Sequence, residues 1–174
     1  MKSKINEFKI EAENAKIKRG ENIKLNISCN LIGEIRDSFI PENWELAYLA
    51  GDRRFMLRYF VKIKLLKGIF SKNILEDKIV RKAVFFFTRN PTIEKTYWVE
   101  LVLEDKQPYL IKSLEEIKEK LFNLKKAYEI NSSMLRIGNN KIRAEIRVKW
   151  ANYAFIKSST LKSKSNVIEI ECLE

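Results

Sequence analysis

The sequence contains no histidine and a single glutamine, Gln107. Without histidine there is no Ser–His or Cys–His nucleophile, no imidazole general base and no His-bearing zinc set. The only cysteines, Cys29 and Cys172, stand too far apart in the chain to make a paired zinc motif. Neither GxGxxG nor GxxxxGK[ST] occurs, so the familiar phosphate loops are missing. Long apolar runs are missing too. The most apolar short stretch, 83–87, falls far below a membrane span, and the first thirteen residues alternate charge with apolar side chains and lack a secretory core. A cytoplasmic location is the expectation, with no cofactor and no metal. Disorder is excluded by the abundance of Ile, Leu, Val and Phe throughout.

What the chain does have is charge. Of 174 residues, 34 are Lys or Arg and 23 Asp or Glu, a net +11. Abundant Lys, Glu and Ile with a single Gln and no His is the bias of hyperthermophile proteins, and an AT-rich genome would also enrich Lys and Ile. At this length a single domain over 1–174 buries roughly 70% of its unfolded surface and needs no disulfide or metal to fold.

Alternation is the dominant pattern. Ile23, Leu25, Ile27, Cys29 and Leu31 alternate with polar residues, which predicts a half-buried strand. Phe8, Ile10 and Ile17 suggest shorter strands before it. Arg19-Gly20-Glu21-Asn22 reads as a turn, giving an opening hairpin. Residues 33–52 read as a long connection. Phe55, Leu57, Tyr59, Val61, Ile63 and Leu65 mark the longest strand, 79–88 a central one, and Tyr97 to Leu103 another. Leu135 and Ile137 lead through Gly138-Asn139-Asn140 into Ile142, Ala144, Ile146, Val148 and Trp150, a hairpin signature. Short strands are expected at 154–156 and 167–172, with 158–166 polar and mobile between them. The two cysteines lie on apolar parities, either as buried thiols or as a disulfide joining an early strand to the last.

One helix is expected over about 113–129. Ser113 and Glu116 make a capping box, and Leu114, Ile117, Leu121, Leu124 and Tyr128 form one apolar stripe. Many strands around one helix, without βαβ alternation, indicate two packed antiparallel sheets. The run Lys18-Arg19-Gly20-Glu21-Asn22-Ile23-Lys24-Leu25, followed by further alternating strands, resembles the start of immunoglobulin-like sandwich domains. The expected fold is therefore mainly β: an antiparallel two-sheet, immunoglobulin-like sandwich with the helix packed on it. That resemblance implies no activity.

The charge is uneven. Residues 53–89 carry a net +9, against −1 for 1–52, −1 for 90–130 and +4 for 131–174. Arg54, Arg58, Lys62 and Lys64 share one strand face, and Arg143 and Arg147, with Lys149, share the outward face of another. If the two strands are neighbours, these seven residues form a cationic sheet face, with Met56 and Phe60 adding apolar or stacking surface. Such a face holds single-stranded nucleic acid without sequence preference, and it also attracts an acidic protein or an anionic lipid surface. Two plainer readings compete. The cations can be neutralised by Glu100, Glu104, Glu145 and the helix glutamates, and the helix can cover Met56 and Phe60. Carboxylate catalysis has little support. Glu100 and Glu104 lie about 13 Å apart along a strand, and Glu169 and Glu171 read as a solvated face. The functional expectation is a non-enzymatic interaction module for an unidentified macromolecule. Nucleic-acid binding through 53–89 is the alternative, and a carboxylate enzyme the weakest one.

Overall fold

The computed structural model describes residues 1–37, 54–88, 96–103, 108–111, 114–151 and 158–174. The chain is mainly β, in two sheets of unequal size. The smaller one is built around β3 (Asn22–Ile32), whose five alternating apolar residues are all buried. It pairs antiparallel with β1 (Lys4–Ala12) on one side and β8 (Asn123–Asn131) on the other.

The larger sheet has seven strands in the order β2-β10-β9-β4-β5-β6-β7 and is curled into a half-barrel. These are β2 (Lys16–Lys18), β4 (Arg54–Lys67), β5 (Phe70–Thr88), β6 (Thr96–Val102), β7 (Pro108–Ile111), β9 (Gly138–Ala151) and β10 (Ser158–Leu173). All neighbours are antiparallel except β2 and β10, which run parallel. The core fills the space between the sheets. Phe55, Leu57, Tyr59, Val61 and Ile63 of β4 and Ile142, Ala144, Ile146 and Val148 of β9 join Ile10, Leu25, Ile27 and Leu124 in one cluster.

Several expectations change. The turn at Arg19–Asn22 exists, with Gly20 at φ 91°, but its arms enter different sheets. β2 pairs with β10, and the hairpin partner of β3 is β1, Ala12 opposite Leu25. The helix ends early. α2 (Leu114–Phe122) gives way to β8, so Leu124 and Tyr128 are strand residues. After Phe122 the buried positions switch to alternation, Leu124, Tyr128 and Ile130, and the backbone amides pair along β3 from Asn22–Asn131 to Asn30–Asn123. A stripe at 121, 124 and 128 suits a helix, but as a strand this segment also satisfies the edge of β3, whose main-chain groups need partners.

Gly138-Asn139-Asn140 is not a hairpin turn. It begins β9, and a short 3-10 turn at Ser132–Met134 carries the chain from the small sheet to the large one. The buried Asn140 side chain stabilises this crossing by accepting from Arg136 N and donating to Arg136 O and Gly138 O. Residues 158–166 are not a mobile linker but the first half of β10, paired with β9. Cys29 and Cys172 are both free and buried, so no disulfide joins them. The connection after Gly33 opens with one turn, α1 (Glu34–Asp37). Its remainder, with Trp44, lies outside the described residues, as do Ser113, Asn90-Pro91 and 154–156. No described helix is long and apolar enough to cross a membrane.

Candidate polyanion-binding face

β4 and β9 are neighbours, so the two predicted cationic sets fall on one surface. Register defines the rows that cross it. Lys162 of β10 lies opposite Arg147, Arg147 opposite Phe60, and Phe60 opposite Lys78 of β5. One step along the strands, Lys149 faces Arg58. One step the other way runs Lys164, Glu145, Lys62, Glu76, and beyond it Arg143 faces Lys64. Phe60, Lys62, Lys64, Lys78, Glu145, Arg147, Lys162 and Lys164 are among the residues that line a groove of about 790 Å³.

The groove lies on the side of β4 away from the core. α2 packs on the other side, where Phe122 meets Phe55 edge-on at 5.6 Å and the Tyr59 hydroxyl donates to Leu121 O at 2.8 Å. The expectation that the helix might cover Met56 and Phe60 is thereby excluded, since these two residues point to the opposite face and are part-exposed.

Ion pairing divides the predicted residues. Lys64 pairs with Glu145 at 2.7 Å, Arg143 with the same carboxylate at 3.2 Å, and Lys62 with Glu76 at 3.5 Å. Lys64, Arg143 and Glu145 are only about a quarter exposed or less, so that cluster is a structural knot. Burial pushes the Glu145 carboxyl up. The hydrogen bond and charge of Lys64, with the charges of Arg143 and Lys164, outweigh this and hold it below the usual carboxylate range. By contrast, Arg58, Arg147, Lys78, Lys149, Lys162 and Lys164 form no ion pair among the described residues. Arg54 begins β4 opposite Val84, and its side chain lies outside the described residues, as do those of Glu100 and Glu104.

Phe60 is the centre of the unpaired set. The Arg147 guanidinium carbon lies 4.6 Å from its ring centroid, Lys78 Nζ 5.8 Å and Lys149 Nζ 5.9 Å. The ring's quadrupole attracts each cation, which gathers charge that would otherwise repel itself. Sequence reasoning missed Lys78, Lys162 and Lys164. The alternation Lys162-Ser163-Lys164-Ser165 running into the apolar 167–172 stretch was the signal for the last two.

One member of the basic block has a different use. Arg81 is buried, and its Nη1 donates to Lys120 O at 2.9 Å and Asn123 O at 2.8 Å. It caps the C-terminus of α2, where carbonyls lack intrahelical partners and positive charge is favoured.

The groove also contains Glu76, Asp77 and Glu145. Each is engaged: Glu76 by Lys62 and Asn73, Asp77 by the Tyr128 hydroxyl at 2.9 Å, Glu145 by Lys64 and Arg143. No three His, Cys, Asp or Glu among the described residues gather as a metal-ligand set. No protein-family model matches the chain, and no curated protein matches it significantly.

Proposed function

We propose that this protein is a non-enzymatic binding module that takes an anionic macromolecule onto the face formed by β10, β9, β4 and β5. One observation carries the proposal: the cross-strand row Lys162–Arg147–Phe60–Lys78, whose three cations have no carboxylate partner among the described residues. Unpaired cations set on a hydrogen-bonded sheet, two of the three against the Phe60 ring, are pre-organised for an anion, and a ligand meets little competition from internal ion pairs. The carboxylates of the same groove serve as ion-pair and hydrogen-bond acceptors. A depressed Glu145 is ionised at neutral pH and lacks the proton a general acid needs. The immunoglobulin-like resemblance rests on 18–25, which run from the last residue of β2 through the turn into the start of β3, and it adds nothing to this function.

The test is retention on heparin and on polyphosphate at low salt, with Arg58→Glu/Arg147→Glu beside the native chain. Retention that falls steeply with salt and is lost in the double variant supports the module. Equal retention of both proteins, with the fold intact by circular dichroism, sinks it.

A further inference from the structure

The charge pattern of the face says which way the ligand lies. Along β4 the cations are interrupted by neutralised positions, since Lys62 and Lys64 already hold carboxylates. Across the strands, Lys162, Arg147 and Lys78 form an unpaired line with Phe60 within it, and Lys149 and Arg58 lie beside it. Strands are about 4.8 Å apart, so this line spans about 14 Å over four strands.

The line also selects a chemistry. A purely charged polymer such as heparin or an acidic peptide has no use for a part-exposed phenyl ring at the centre of the cations. A duplex presents phosphates outward and keeps its bases stacked inside, out of reach of a ring set in the face of a sheet. Single-stranded nucleic acid offers regularly spaced phosphates and free base faces together, and base stacking on an aromatic or on an arginine plane is how such strands are held. Phe60 with the Arg147 guanidinium 4.6 Å from its centroid provides both surfaces.

We infer that the ligand is single-stranded nucleic acid, running across the strands along Lys162–Arg147–Phe60–Lys78 with one base stacked at Phe60. This rests on the polyanion-binding role proposed above. Phosphates then meet Lys162 and Arg147 on one side of the base and Lys78 on the other. Lys62 and Lys64 stay with their carboxylates.

Fluorescence anisotropy with a labelled oligothymidylate, its duplex counterpart and unlabelled polyphosphate as competitor tests this in the full chain. The single strand should bind more tightly than the duplex. Phe60→Ala should weaken it about tenfold, within the range for one stacked base, and leave competition by polyphosphate unchanged. Phe60→Trp should retain or improve binding, which covers the case in which the alanine variant fails to fold. Lys162→Ala and Lys78→Ala should each reduce the slope of log K against log salt by about 0.7, and Lys62→Ala should not. Equal affinity for strand and duplex, or unchanged oligonucleotide binding in Phe60→Ala, overturns the inference while the polyanion module stands. A slope that responds to Lys62 and not to Lys162 overturns the direction. No binding to any of the three probes overturns both proposals.

Discussion

The carboxamide of Asn166 pairs with both main-chain groups of Ile10: Oδ1 accepts from Ile10 N at 2.9 Å and Nδ2 donates to Ile10 O at 3.0 Å. One side chain thus does what a strand neighbour does, and it joins β10 of the large sheet to β1 of the small one. It can do so because the register of β10 shifts between Lys164 and Val167. A bulge frees residues from the ladder and re-aims them. Ser165 fills the gap from the other side, accepting from Ala144 N at 2.9 Å and donating to Asn166 O at 2.7 Å.

Asn166→Ala should therefore destabilise the fold by about 1–3 kcal/mol, because Ile10 loses partners for two groups at the junction of the sheets. Asn166→Asp should cost a similar amount, since a carboxylate cannot donate to Ile10 O. Urea denaturation measures both. A loss below about 0.3 kcal/mol in each variant would show that the junction does not depend on this amide.

Arg58 and Arg81 come from the same basic stretch and should respond in opposite ways. Arg81→Ala removes a guanidinium from two carbonyls at the end of α2 and from the face of Tyr59, 5.6 Å away. A cost of about 3 kcal/mol is expected for charged hydrogen bonds at a buried site. Arg58→Ala should change stability by less than about 0.5 kcal/mol, as an exposed side chain without an ion pair does, but it should weaken polyanion binding. Thermal melts and heparin elution of the two variants separate the roles.

How much of this was legible follows from the patterns. Buried and outward positions alternate along β3, β4 and β9, and Arg58, Lys62 and Lys64, like Arg143 and Arg147, fall on the outward parity. Parity alone put those residues on one side of their strands. That the strands are neighbours is a fact of topology, which no local pattern contains. β8 was hidden because Leu121, Leu124 and Tyr128 satisfy a helical stripe as well as a strand. The first half of β10 was hidden because Ser, Thr and Lys dominate both of its faces, and with it went Lys162 and Lys164. Arg81 looked like its neighbours Lys78 and Lys82. Only the helix end placed above it by tertiary packing makes it structural.

Glu145 couples stability to pH. Its carboxyl is held below the usual range in the folded chain, so its contribution is present above the unfolded glutamate pKa, about 4.3. It is lost as pH falls through the lower, folded value. Glu145→Gln should reduce the acid-induced loss of stability below about pH 4, by no more than one proton's share of the slope. The same variant should bind polyanions more tightly, because it releases Lys64 and Arg143 and removes a negative charge from the groove. Denaturation at pH 3 to 7 and oligonucleotide titration check the two effects. Weaker binding in Glu145→Gln would mean that the ion-paired cluster itself shapes the binding surface.

The thiols provide a last prediction, one that concerns the core alone. Cys29 lies on the inner side of β3 opposite Leu124, and Cys172 near the end of β10 opposite Gly138; both are buried. Burial pushes the Cys29 thiol up to about 12, against an opposing pull from the charge of Arg81. The nucleophilic species is the thiolate, so at pH 8 almost none is present at Cys29, and neither sulfur is open to a reagent. Reaction of the native chain with a thiol reagent should require opening of the fold, and the rate should follow the opening equilibrium. Full reactivity of two thiols should appear in denaturant, with identical gel mobility with and without reductant. Arg81→Ala, by loosening the end of α2, should speed labelling of Cys29. Rapid labelling of the native chain at pH 8, or a mobility shift on reduction, would contradict the buried, unpaired state of both sulfurs.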